Sequence, residues 1–280
     1  MTRALRNLFQ EVGDKEHAVT TLIPQSLTPS SPSFPRDVYL PDIQFFAARD
    51  RVGTAEGFYL AAKGGHNAES HNHNDVGHFI VYQDGKPSII DIGVETYTRK
   101  TFSPQRYEIW TMQSAYHSLP TIDGVMQAPG RQFAARDATY QADEEIATFS
   151  LDLAAAYPPE AHLRAWQRTL TLVRGLRVEL HDSYELTQLP TSLTLSLMTP
   201  CQVELSEPGQ ARLEATRLAG GRVSGAGVIS YDPACLSPTV ETIPIADPRL
   251  LGIWGPELRR LVFTAVNPGL QGEWRLQVVG

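Results

Sequence analysis

Cysteine is nearly missing from this chain: Cys201 and Cys235 are the only two among 280 residues. Two thiols make no disulfide framework, so packing has to hold the fold, with two buried thiols or at most a single bridge expected. Long apolar runs are missing too. No stretch of about 18 consecutive apolar residues occurs, which excludes a transmembrane helix. The opening MTRALRNLFQEVGDKEHAV has no apolar segment of the kind a signal peptide needs. As it stands the sequence reads as that of a chain that is not exported, and a fragment of a longer exported precursor reads the same. Positive charge is in deficit, with 24 Lys and Arg against 31 Asp and Glu for a net charge of -7. That balance argues against nucleic acid as a partner, because phosphate binding needs a basic face. Gly53, Gly57, Gly64 and Gly65 match no phosphate-loop spacing.

What is present is strand. The chain is 42% hydrophobic, enough for a well-buried core. Residues 3–12 place Leu5, Leu8, Phe9 and Val12 at helical spacing. A Pro- and Ser-rich arm follows, so the main domain is expected over residues 39–280, with helix and arm in 1–38. Beyond it, segments such as GFYLAAK (57–63), PSIIDIG (87–93), WQRTLTLV (166–173), LRVELHDSYEL (176–186) and LRRLVFTAV (258–266) are rich in β-branched and aromatic residues, and many alternate apolar and polar. Turn pairs such as Asp84-Gly85 and Pro208-Gly209 separate them. The fold class expected is mainly β: a large antiparallel β-sandwich with a short N-terminal helix and an extended arm. Residues 103–115 read as a second helix, with Ser103 capping and Pro104 at its first position, or as an irregular loop.

Histidine is concentrated: five of eight lie between His66 and His117, and ESHNHNDVGHF (69–79) holds three of them. Residues i and i+2 of an extended strand share a face, so His71 and His73 point together if this stretch is extended. Asp91 follows an apolar run, where a carboxylate is costly unless paired or ligated. His73, Asp91 and His117 would make a two-histidine, one-carboxylate site that suits zinc. Each residue alone has a plainer reading. An H-x-H pair is a weak signal, Asp91 is a natural turn former at a strand end, and His117 is a natural backbone-bonded core histidine. His66 and His78 read as structural. A cupin motif fits Gly65, His71 and His73 but finds Gly77 and His78 where its glutamate belongs. A nuclease of the HNH type needs a basic DNA face that an acidic all-β chain does not offer.

The stretches KGGHNAESHNHNDVGHFIVYQDGKPSIIDIGVETYT (63–98) and RYEIWTMQSAYHSLPTIDG (106–124) resemble the C-terminal domain of the heparinase II/III family of polysaccharide lyases. The likeness is strong over roughly residues 45–130 and diffuse beyond. That family pairs an N-terminal α/α toroid with a C-terminal β-sandwich, the active site lying between them. The resemblance implies that His73, Asp91 and His117 hold a metal, usually zinc, and that His71 faces the uronate of an acidic polysaccharide or oligosaccharide as a catalytic-site residue. It places Arg106 and Tyr107 along the substrate cleft. The implied reaction is β-elimination, with the tyrosine base supplied by the toroid. This sequence shows one helical segment ahead of the sandwich, so it is expected to be the C-terminal part of such a lyase, inactive alone or paired with a separate toroid. Zinc is expected to be structural rather than catalytic. A non-catalytic, zinc-stabilised carbohydrate-binding or docking module and a cupin-like metal sandwich are the alternatives.

Overall fold

A computed structural model describes residues 34–280. The expected helix over 3–12 and the arm as far as residue 33 lie outside the described residues. The remainder is an antiparallel β-sandwich. Its largest sheet has eight strands, in the order Gln202–Glu204, Gln210–Glu214, Gly227–Tyr231, Gln271–Val279, Arg177–Leu186, Leu163–Val173, Ile146–Asp152 and Arg136–Ala142. A five-stranded sheet runs Asp37–Leu40, Phe45–Arg49, Phe58–Lys63, Phe79–Gln83 and Lys86–Ile89. A four-stranded sheet joins Leu236–Pro244, Glu257–Ala265, Leu193–Thr199 and Pro120–Ile122, and a short ribbon pairs His66–Asn67 with Gly130–Ala134. No helix among the described residues is long and apolar enough to cross a membrane.

Alternation builds the layers. In Arg177–Leu186 every second residue is buried, from Val178 through Leu180 and Tyr184 to Leu186. Their side chains join Phe46, Leu60 and Phe79 of the five-stranded sheet and Leu195, Leu261 and Phe263 of the four-stranded sheet in one core. Each such side chain, fully buried, contributes about 1.5–3 kcal/mol. The Asp84-Gly85 turn has both residues at positive φ, 50° and 72°, the backbone that a two-residue hairpin needs. Cys201 and Cys235 are free thiols, the first buried, so no bridge contributes.

Two segments depart from the sequence expectation. PSIIDIG leaves its sheet at Ile89 instead of continuing as a strand to 93. Ile90 donates its N–H to Met198 O at 2.9 Å, and Ile90 and Ile92 enter a second apolar cluster with Leu250, Trp254 and Leu258. That cluster is built by the helix Pro248–Trp254, which the strand-rich text concealed. Asp247 caps it by accepting from Arg249 N at 3.0 Å and Leu250 N at 3.1 Å. Of the two readings for residues 103–115 the irregular one is nearer: they form three short 3₁₀ turns and no α-helix, with Ser103 Oγ accepting from Gln105 N at 3.1 Å.

One ion pair ties the layers to the loops above them. Arg168 and Asp182 are cross-strand partners on the core-facing side of the eight-stranded sheet, both at 0% exposure. Arg168 Nε and Nη2 donate to the two oxygens of Asp182 at 2.8 and 2.6 Å. Nη1 donates to Gly77 O at 2.9 Å and Ser118 O at 2.5 Å. Gly77 has φ 85°, and a Cβ there would meet Leu153 Cδ2 at 2.3 Å, so only glycine lets the loop sit this deep. Arg168→Met is expected to cost about 3–5 kcal/mol, because it strands a buried carboxylate and two carbonyls together. The urea midpoint measures this, and a loss below about 1 kcal/mol would show that the clamp is not structural.

Candidate metal centre and the adjoining histidine

The loop between the ribbon strand His66–Asn67 and the strand Phe79–Gln83 carries the histidine run, and it is not extended. His71 has φ 57°, in the left-handed region, and its side chain is exposed, whereas His73 is at 0% exposure. The shared face expected for His71 and His73 is therefore corrected: the turn at His71 sends the two imidazoles to opposite sides. Hydrogen bonds hold the loop in that shape. Asn74 N donates to Met112 O at 3.0 Å, and Asn74 Nδ2 to Gln127 O at 3.1 Å. Gln127 also accepts from Val76 N at 3.0 Å and donates to Val76 O at 2.7 Å. Asn67 Nδ2 reaches Gln127 Oε1 at 3.0 Å, while its Oδ1 accepts from Asp75 N at 3.2 Å.

His73, Asp91 and His117 come together, with one donor atom from each of these and from Asp75 all within 4.8 Å of one another and all four residues buried. Asp91 arrives on the segment that leaves the five-stranded sheet, its Oδ1 accepting from Gly93 N at 2.6 Å. His117 follows the last 3₁₀ turn. Its Nδ1 lies 2.8 Å from Gln113 O, which can only accept, so Nδ1 carries the proton and Nε2 presents a lone pair. That Nε2 stands 3.1 Å from His73 Nδ1 and 3.8 Å from Asp91 Oδ2. Ligands about 2.05 Å from a tetrahedral zinc are about 3.3 Å apart, so the spacing suits such an ion.

Tautomers sharpen the fit. His73 Nε2 is buried with no hydrogen-bond partner among the described residues. If His73 donates from Nδ1 to His117, Nε2 is a buried lone pair without a donor. If the proton sits on Nε2, two lone pairs face each other at 3.1 Å. Either arrangement leaves a defect worth about 1–3 kcal/mol, and a cation between the two nitrogens removes the second one. Burial pushes His73 well below the ordinary histidine pKa, so it stays neutral, the form that ligates.

His78 stands behind this group. Ser118 N donates to its Nδ1 at 2.9 Å, which leaves the proton on Nε2, 3.8 Å from Asp91 Oδ2. Burial, with the neighbouring His117 second, lowers the His78 pKa to about 3. Asp75 also enters the cluster and pairs with Lys63 Nζ at 3.2 Å. Burial alone would lower the Lys63 ammonium, but Asp75 and Glu69, the latter at 2.9 Å, outweigh it and raise its pKa. Gln127 had no motif around it, and Lys63 stands at the edge of the family-like stretch without an assigned role. The only signal available was a lysine closing an apolar strand.

Arg106 and Tyr107 converge on the residue between the two histidines. Arg106 Nη2 donates to Asn72 O at 2.8 Å and Tyr107 Oη to Asn72 Oδ1 at 2.9 Å. Arg106 Nη1 also reaches Thr101 O at 3.0 Å. His71 Nδ1 is 3.4 Å from Tyr97 Oη. Arg106 and Tyr107 thus hold the loop that sets His71 and His73 apart.

Comparison with known proteins agrees with this architecture. A family profile described as heparinase II/III-like, C-terminal, matches residues 35–211. Heparan sulfate lyase HepC from Pedobacter heparinus superposes with a TM-score of 0.65 at 16% identity, over 89% of this chain and 37% of that one. A heparinase III gene product gives 0.65 at 17% identity, over 88% of this chain and 36% of its own. A further heparinase III structure gives 0.61 at 14%, over 90% and 37%. The chain thus spans little more than a third of the length of these solved structures. No curated protein sequence matches. With most of the sandwich inside the profile match and the same fold in these lyases, the chain belongs to the heparinase II/III-like family, as a C-terminal domain of that type.

Proposed function

We propose that this chain is the metal-holding β-sandwich module of a polysaccharide lyase that cleaves uronic-acid-containing glycans by β-elimination. One observation carries the reading: a buried cluster of His73, Asp91, His117 and Asp75 lies beneath a loop whose next histidine, His71, is turned out to solvent. The inner histidines and Asp91 would hold a zinc ion, with Asp75 next to them. Zinc there supplies rigidity, fixing the loop so that His71 keeps its direction. His71 serves the substrate, donating a hydrogen bond to the uronate carboxylate. In the reaction a base removes the proton at C5 of the uronate, the electron pair forms the C4–C5 double bond, and the C4–O bond breaks as the leaving oxygen takes up a proton. Charge builds on the carboxylate in the transition state, and a fixed donor is worth most there. The base belongs to a toroid domain such as the family supplies. The burial of all four candidate donors favours a second reading, in which a metal only stiffens a sandwich that binds or docks without turnover.

Zinc-loaded protein analysed by mass spectrometry is expected to hold about one ion per chain. His73→Ala or His117→Ala should weaken binding by about a hundredfold or more, and His71→Ala should leave the metal in place. Loss of metal from His71→Ala would overturn the division between the two histidines. Ultraviolet absorbance of the unsaturated product, followed with uronate polymers, separates lyase from binder. Turnover that disappears in His71→Ala supports the first reading, and metal with saccharide binding but no product supports the second.

The buried imidazoles also fix a pH response. His73 and His78 have lowered pKa values in the fold and titrate near about 6.5 when unfolded, so below that pH the unfolded chain binds more protons. Stability of the metal-stripped protein should fall as pH drops below about 6.5, by up to about 1.4 kcal/mol per pH unit for each imidazole. Asp75, whose pKa Lys63 holds low against burial, acts only below about pH 4. Urea midpoints between about pH 7 and 5 measure this, and a flat profile would contradict neutral buried histidines.

A further inference from the structure

Beside His71 lies a row of rings that the metal cluster does not use. The Tyr97 ring lies parallel to the His71 imidazole, 9° apart in plane with centroids at 6.0 Å. Phe102 stands edge-on to Tyr97 at 5.5 Å and is 71% exposed, more than any other large apolar side chain described. Arg99, between them in sequence, is exposed, and its guanidinium has no side-chain partner among the described residues. Neighbouring Lys100, by contrast, is engaged with Glu108 at 3.0 Å.

The row is held rigid. Thr98 N donates to Thr101 Oγ1 at 3.0 Å, Thr101 N donates to Thr98 O at 3.1 Å, and Thr101 is buried. Thr96 N donates to Asp247 Oδ2, the same carboxylate that caps the helix Pro248–Trp254. Arg106 grips Thr101 O with one nitrogen and Asn72 O with another, so one guanidinium fixes the turn and the histidine loop together. A surface preorganised in this way loses little entropy when it binds.

We infer that Tyr97, Arg99 and Phe102 form a binding subsite for an acidic sugar residue next to His71. This rests on the reading of His71 given above and adds the residues that grip the chain beyond the reacting ring. A pyranose has an apolar C–H face and polar edges. An exposed ring matches the face, and a phenol or imidazole matches the edge. Arg99 supplies a planar fork for a carboxylate or sulfate. The row alternates aromatic and polar groups, so it lacks the contiguous apolar patch that a docked protein would cover.

Titration calorimetry on the zinc-loaded full chain tests the assignment, with a size-defined oligouronate and a neutral glucan oligosaccharide of equal length as probes. Phe102→Ala should weaken oligouronate binding by about tenfold. Arg99→Gln should weaken it several-fold at low salt and less at high salt, because the lost contact is ionic. Neither change should alter metal content, since both side chains are exposed. The subsite is wrong if both variants bind like the wild type while His71→Ala abolishes binding, an outcome that leaves the lyase-site reading standing. It is also wrong if the neutral glucan binds as tightly as the oligouronate. Zinc-loaded protein that binds neither probe would remove the subsite and the saccharide reading together.

Discussion

A charged guanidinium with no access to water is the constraint on which the rest depends. Arg168 is tolerable in the core only because every nitrogen has an acceptor, and those acceptors come from three places: Asp182 on the neighbouring strand, Gly77 beside His78, and Ser118 beside His117. The two loops that bring His73 and His117 to one point are therefore anchored to the same cation from the opposite sheet. Gly77 and Arg168 are 91 positions apart, so this anchor closes only after distant strands have paired. The geometry of the cluster therefore depends on both layers being in place.

The second determinant is the backbone of the histidine loop. A single residue in the left-handed region separates an imidazole facing solvent from one facing the interior, and Arg106, Tyr107, Asn74 and Gln127 keep it so. Burial then assigns chemistry. His73 and His78 are held neutral because charge is too costly where they are buried, while His71 keeps contact with water. One short sequence run thus supplies two environments without an intervening domain.

Much of this was legible in the sequence. Alternation announced the long strands Leu163–Val173 and Arg177–Leu186 because each buries only one face. It also contained the clamp. Arg168 falls in phase with Trp166 and Leu170, and Asp182 with Leu180 and Tyr184, so two opposite charges interrupt the apolar faces of adjacent strands at matching positions. The donors His73, Asp91 and His117 could be named because histidine and post-strand aspartate are conspicuous types. Their surroundings were less readable. Treating H-x-H as extended failed because the loop's shape comes from Asn74 and Gln127 bonding to distant backbone and from Arg106 and Tyr107 donating to Asn72, and local periodicity carries no record of that. Gln127 lies outside any motif. The helix Pro248–Trp254 is only 7 residues long, too short for its period to stand out, although Asp247, Pro248 and Gly255 marked both ends.

The left-handed conformation of His71 also has an evolutionary side. A residue with a Cβ held there costs about 1 kcal/mol relative to glycine, and glycine or asparagine would sit at φ 57° more comfortably. Selection for stability alone would drift toward those residues. A histidine is held there nonetheless, by the hydrogen bonds that Arg106 and Tyr107 make to the next residue, Asn72.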